Sequence, residues 1–160
     1  MSGRNLPYRP GTGVVLLNPE NRVFVGQRID TSIEAWQMPQ GGIDAGEDAK
    51  TAALRELEEE IGTRNVKVLA RAKNWLTYDL PDELVGKVWG GQFRGQRQAW
   101  FLMRFLGCDA DITLATAHPE FRAWKWIPFD EVVKTIVPFK RDVYGRVLAE
   151  FRPLIESDEV

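Results

Sequence analysis

The sequence predicts an α+β fold, a mixed sheet layered between helices, on three observations. Runs rich in β-branched and aromatic residues recur along most of the chain, two stretches of helical period break into them at residues 48–61 and 140–155, and the two kinds of segment never alternate as repeating strand–helix–strand units. Residues 14–17 (VVLL) and 22–25 (RVFV) flank the turn-rich Asn18-Pro19-Glu20-Asn21 and predict a hairpin of two buried strands. Residues 48–61 carry apolar side chains at helical spacing. Glu47 and Asp48 stand at the front of this segment, where acids suit a helix N-terminus, and Gly62 stands behind it, where a left-handed cap is commonly needed. Residues 66–69, 75–78, 98–105 and 122–127 read as further strands. Residues 130–136 and 140–155 read as helices, the second with Val143, Val147, Leu148 and Phe151 in one apolar stripe. The longest irregular stretch is 81–95, and no repeat, low-complexity tract or linker divides the chain, so residues 1–160 are expected to form a single domain.

Composition excludes several kinds of chemistry. The chain has 44% hydrophobic residues, six Trp and eight Phe, enough apolar surface to fold alone. Lys and Arg (21) nearly balance Asp and Glu (23), and a formal charge of -2 does not suit a protein that coats duplex DNA. Cys108 has no intrachain disulfide partner, and neither a long apolar run nor a charged-then-apolar leader is present, which predicts a soluble cytoplasmic protein without a membrane partner. One histidine and one cysteine cannot build a zinc finger or a three-His zinc centre, and a Ser-His-Asp triad would hang on His118 alone. Any metal must therefore be held by oxygen, which favours Mg, Mn or Ca and directs attention to phosphate chemistry.

The segment best suited to that chemistry is the helix at 48–61. At about 100° per residue with Glu56 as origin, Glu59 falls at about 300° and Glu60 at about 40°, while Leu57, Ile61 and Leu54 fall at about 100°, 140° and 160°. Three carboxylates thus share one face, and they repel one another unless the face is open to water or a cation sits among them. Arg55 lies one turn before Glu59 and can orient it. The preceding Gln40-Gly41-Gly42-Ile43-Asp44-Ala45-Gly46-Glu47 is rich in glycine, so its backbone can turn sharply and approach a ligand closely. A loop offering carbonyls next to a helix offering carboxylates suits a magnesium cluster that clamps a polyphosphate.

Residues 41–63 resemble the Nudix box of the Nudix hydrolase family. Gly41 opens it, Glu47 follows after five intervening residues, and after seven more come Arg55-Glu56-Leu57-Glu58-Glu59-Glu60-Ile61-Gly62. The box usually closes on an aliphatic residue, where this chain has the β-branched Thr63. Other segments extend the likeness: residues 8–10 (Tyr8-Arg9-Pro10), 36–42, 74–78, 95–101, 119–121 (Pro119-Glu120-Phe121), 124–126 and 139–144. They resemble a subgroup that joins bacterial RNA pyrophosphohydrolases to asymmetric dinucleoside tetraphosphate hydrolases. Trp89-Gly90-Gly91 is similar to the plant-type dinucleoside polyphosphate enzymes.

The resemblance implies a Nudix-type α/β/α sandwich with a mixed central sheet, the box helix and a long C-terminal helix. It implies that Glu56, Glu59, Glu60 and Glu120, with a Gln40 or Gly41 carbonyl, bind two or more Mg²⁺ or Mn²⁺ ions. Catalysis is then assigned to Glu56, Glu59, Arg55 and Glu120, with the general base open among Glu56, Glu59 and Glu120. Substrate contacts are assigned to Arg9, Arg28, Tyr78, Gln98, Phe139 and Lys140, the two aromatics near the nucleobase, and Arg97 and Arg141 are further cations that could meet phosphates. The implied activity is removal of pyrophosphate from the 5′-triphosphate end of RNA, a step that starts mRNA decay, together with hydrolysis of dinucleoside polyphosphates. Two alternatives are a dedicated dinucleoside tetraphosphate hydrolase and a non-catalytic regulator that binds nucleotides or RNA ends. The full set of acids weighs against the second.

Overall fold

The structure is a computed structural model and describes residues 5–29, 35–116 and 119–156. In chain order the regular elements are β1 (Tyr8–Leu17), β2 (Val23–Arg28), β3 (Trp36–Gln37), β4 (Gln40–Gly42), α1 (Ala49–Ile61), β5 (Val66–Arg71), β6 (Leu76–Asp79), β7 (Gly95–Phe105), β8 (Phe121–Ile127), α2 (Val132–Thr135) and α3 (Arg141–Glu156). Short 3₁₀ turns precede α2 and α3.

The centre of the sheet is a parallel pair, β1 and β7, matched from Tyr8 opposite Gly95 to Leu17 opposite Arg104. The main strand order is β3-β2-β1-β7-β5, with β4 also on β1, β6 also on β7 and β8 on β2, all antiparallel. Parallel strands of this kind are covered on both faces, which is why VVLL and AWFLMRF read as nearly continuous apolar runs. Strand alternation then divides the core in two. Val14, Leu16, Ala99, Phe101 and Met103 meet Ala53, Leu57 and Ile61 of α1, whereas Val15, Leu17, Trp100 and Leu102 meet Val143, Tyr144, Val147 and Phe151 of α3. The α/β/α sandwich expected from the sequence is thereby realised.

Helix α1 starts where Asp48 caps it, its carboxylate accepting from the Thr51 N–H at 2.7 Å, and ends at Gly62, whose φ of 80° only glycine adopts without strain. The apolar stripe of α3 is buried as its spacing predicts. The differences from the sequence reading have local causes. β1 begins at Tyr8 and β7 at Gly95, ahead of the apolar runs, because pairing with each other and with β4 and β6 holds their polar N-terminal halves extended. Strands β3 and β4 are too short to show a period. The expected helix at 130–136 is a 3₁₀ turn followed by four α-helical residues. Among the described residues no helix is long and apolar enough to cross a membrane.

One buried bond ties α3 to the segment between β3 and β4: the Met38 N–H donates to the Tyr144 hydroxyl at 3.0 Å, and both residues are fully buried. Replacing Tyr144 by Phe orphans that N–H, and urea unfolding should show a loss of about 1–3 kcal/mol.

Candidate active site

β4 lies along β1, with Gly11 opposite Gly42 and Gly13 opposite Gln40, and α1 packs against both strands. Glycine is required at 41 and 42 by close approach: a Cβ on Gly41 would overlap the Glu56 carboxylate, and one on Gly42 would overlap the Arg9 guanidinium. The Arg55 guanidinium joins the loop to the helix. Its Nε and Nη2 donate to the two carboxylate oxygens of Glu47 at 2.8 and 2.9 Å, Nη2 also to the Gly42 carbonyl at 2.9 Å, and Nη1 to Glu56 at 2.9 Å and to Glu59 at 3.3 Å. The sequence reading anticipated the contact with Glu59 but not those with Glu47, Glu56 and Gly42.

The three acids of α1 do not share one open face. Glu59 is 43% exposed and Glu56 12%, while Glu60 is buried beneath β4 and accepts the Gln40 N–H at 3.0 Å. The second Glu60 oxygen, Oε2, is buried without a partner among the described residues. The cause is geometric, since α1 lies flat on β1 and β4 and Glu60 belongs to the edge of its buried side. Burial pushes the Glu60 carboxyl well above the ordinary carboxylate range, and Glu120 and Glu56 push it further. Burial likewise raises Glu56 to about 7, with Arg55 opposing and Glu59 and Glu120 reinforcing. Glu47 is held at about 2, first by Arg55 and then by the Asp44 N–H.

A cleft of about 490 Å³ opens beside this corner, on the α3 side of the sheet. Of the residues predicted to act, Arg9, Arg28, Gly41, Glu56, Tyr78, Glu120, Phe139 and Lys140 line it. Arg55, Glu59 and Glu60 lie just behind Glu56 and Gly41. Gln98 is placed differently from the expectation of a substrate contact. It is fully buried, donates to Gln96 Oε1 at 2.7 Å and to Gln40 Oε1 at 3.4 Å, and accepts from Trp100 Nε1 at 3.0 Å, so it props Gln40 from beneath. Tyr78 is only 6% exposed, its ring 5.8 Å from that of Phe139 and 5.4 Å from Lys140 Nζ. It therefore backs the more open Phe139 and offers little face of its own to a base. Arg97 points to the opposite sheet face, over Trp75 at 4.3 Å, and Arg141 is exposed outside the cleft. His118 lies outside the described residues.

The cleft also holds Gln40, expected only as a carbonyl ligand, and side chains that the sequence reading assigned no role, Gln37, Gln96 and Trp89, beside an apolar wall that includes Leu84 and Val88. Gln37 is 3% exposed, and its Nε2 finds no partner among the described residues. The signal for Gln96 and Gln98 was present, because they stand two apart on the same strand face as the buried Trp100, polar groups where an apolar one belongs. Among the described residues the acids do not stand as a ready-made group of three metal-holding side chains. The donor chemistry nonetheless fits a hard cation. Carboxylate and carbonyl oxygens predominate, one of the carboxylate oxygens is buried and has no partner among the described residues, and burial, reinforced by neighbouring acids, raises the proton affinity of Glu56 and Glu60.

Comparison with known proteins points to one family. The model of the NUDIX domain matches residues 7–147. The RNA pyrophosphohydrolase of Rhodospirillum rubrum is 63% identical over 150 residues, covering 94% of this chain and 90% of its own. Those of Sphingopyxis alaskensis and Rickettsia typhi are 60% and 52% identical and cover 94% and 95% of this chain, 96% and 94% of their own. Among solved structures, a C. elegans Ap4A hydrolase binary complex aligns with a TM-score of 0.69 at 20% identity, covering 93% of this chain and 98% of that one. The E. coli dihydroneopterin triphosphate pyrophosphohydrolase aligns at 0.67 and 19% identity, covering 89% and 98%. Both of these likenesses are of fold.

The raised acids give the metal-free protein a pH-dependent stability. Glu56 binds its proton more tightly folded than unfolded, so the contribution is full below the ordinary value of 4.5 and is lost as pH rises to about 7. Glu47 is lowered and stays ionised throughout this window, so it does not oppose the trend. Thermal unfolding in chelator should show Tm falling from pH 5 to pH 7.5, and Glu56→Gln should flatten that slope.

Proposed function

The chain belongs to the Nudix family, and on that premise we propose that it removes pyrophosphate from the 5′-triphosphate end of RNA, with dinucleoside polyphosphates as further substrates. It is a hydrolase of phosphoric anhydride bonds. The observation that carries the substrate reading is the juxtaposition in one cleft of carboxylates, three cationic side chains and an accessible aromatic ring, in a chain more than 50% identical to several proteins named RNA pyrophosphohydrolase.

In this reading Arg9, Arg28 and Lys140 take the phosphate chain, and Phe139, braced by Tyr78, stacks on a nucleobase. Glu56, Glu59, Glu60 and Glu120, with the Gly41 carbonyl, hold two or more Mg²⁺ or Mn²⁺ ions. Bound there, the ions polarise phosphoryl oxygens, lower the pKa of water and absorb the charge of an in-line displacement. Arg55 keeps Glu56 and Glu59 oriented, and the Glu60–Gln40 bond keeps the loop carbonyls at the helix. Water adds across the anhydride between the α and β phosphorus atoms, leaving a monophosphorylated RNA end and free pyrophosphate. A cleft of this size accepts an unpaired 5′ end, not a duplex. The reading further assigns the protein to the cytoplasm, where such RNA ends arise.

Incubating a triphosphorylated oligoribonucleotide with the protein and Mg²⁺ should release pyrophosphate, with a higher kcat/KM than for diadenosine tetraphosphate. The reverse order of the two constants would make it a dinucleoside polyphosphate hydrolase, and no product from either would leave an end-binding protein. Glu59→Gln should lower kcat by about a hundredfold or more with Tm retained, since it removes one ligand charge at constant shape. Phe139→Ala should raise KM by about tenfold if the ring stacks on a base.

A further inference from the structure

The geometry points to Trp89 as a positioning residue for Arg9, the two acting as one unit that grips the phosphates of the substrate. The inference rests on the phosphate-cleaving role proposed above and adds a residue to it.

Trp89 has a φ of 52°, and Asn21 is the only other non-glycine residue with a positive φ among those described. Asparagine tolerates the left-handed region in a turn, whereas a bulky tryptophan enters it only at a cost in folding stability. Something must therefore be gained by placing this ring. The neighbouring Gly86, Gly90 and Gly91 also have positive φ, so the whole segment is wound to present it. The ring lines the cleft beside Leu84 and Val88 and is braced edge-on by Phe93, centroids 6.3 Å apart at 75°. The Arg9 guanidinium carbon stands 5.2 Å from the Trp89 ring centroid, and its Nη2 occupies the space that a Cβ on Gly42 would need.

Arg9 lines the same cleft as Glu56 and Glu120. A long cationic side chain beside carboxylates tends to fall onto one of them and be neutralised. A π face holds the cation without consuming an acceptor, so its in-plane N–H groups stay available for a bidentate grip on phosphate. Gly42 leaves room for that guanidinium, and Trp89 fixes its other side.

The test measures pyrophosphate release from a triphosphorylated oligoribonucleotide by wild type, Trp89→Gly, Trp89→Phe, Arg9→Gln and the Trp89→Gly/Arg9→Gln double variant, with Tm for each. Glycine is at ease at φ 52°, so Trp89→Gly should keep or raise Tm. It should raise KM by about tenfold with kcat within about twofold. Trp89→Phe, which keeps a π face, should recover most of that loss, and the double variant should be no worse than Arg9→Gln alone. Additive losses in the double variant, or an unchanged KM in Trp89→Gly, would overturn the pairing. Calorimetry with inorganic tripolyphosphate on the same proteins reads the grip without turnover. If wild type releases no pyrophosphate, the functional reading fails, yet weaker tripolyphosphate binding by Trp89→Gly than by wild type still upholds the pair, and equal binding sinks it.

Discussion

The corner between loop and helix depends on the Arg55 guanidinium. Five N–H groups in one plane meet Glu47, Glu56, Glu59 and the Gly42 carbonyl, so a single side chain fixes how far the glycine loop stands from α1 and in which direction two of the acids point. Lysine has the charge but not the planar fork, and could not hold Glu47 through both oxygens while reaching the helix acids. The arrangement is also electrostatically economical. Glu47 neutralises Arg55 strongly enough to stay ionised, while burial, reinforced by neighbouring acids, raises Glu56 and Glu60 further inside despite the pairing of Glu56 with Arg55. Carboxylates gathered at a desolvated corner are what make a divalent cation a natural complement.

The sheet supplies the second constraint. Because successive residues of β1 and β7 alternate between faces, the same two strands bury one apolar layer under α1 and another under α3, and the polar N-terminal halves of the strands open into the cleft. Gln96 and Gln98 continue the inward face of Trp100 and Leu102, where they form a buried polar chain to Gln40. Gln40, next to Gly41, is thus held from two sides, its backbone N–H by Glu60 on the helix and its side chain by Gln98 on the sheet.

Much of this was legible in the sequence because it is periodic. The helical spacing around Leu57 and Ile61, the stripe of α3 and the apolar runs of β1 and β7 each follow from side-chain period alone, and the glycine loop with its acids follows from the chemistry of phosphate. What escaped depends on partners far along the chain. A helical wheel places Glu60 beside Glu56 but does not know that β4 covers it. Gln98 looks like any polar residue until the face it occupies is known. The role of Trp89 turns on a backbone angle inside a stretch that reads only as irregular. The short strands β3 and β4 exist because β2 and β1 pair with them, not because two or three residues have a preference of their own.

The parallel pairing of β1 with β7 has a consequence for biogenesis. The Thr12 hydroxyl bonds the carbonyl of Ala99, 87 positions further on, and nothing between them can close the central sheet. A nascent chain must therefore carry its first strand with an open, strongly apolar edge until more than half of the polypeptide has left the ribosome. Non-local closure of this kind slows folding and leaves intermediates prone to association. Slower translation or chaperone cover over that interval is expected to raise the yield of folded molecules by shielding this edge.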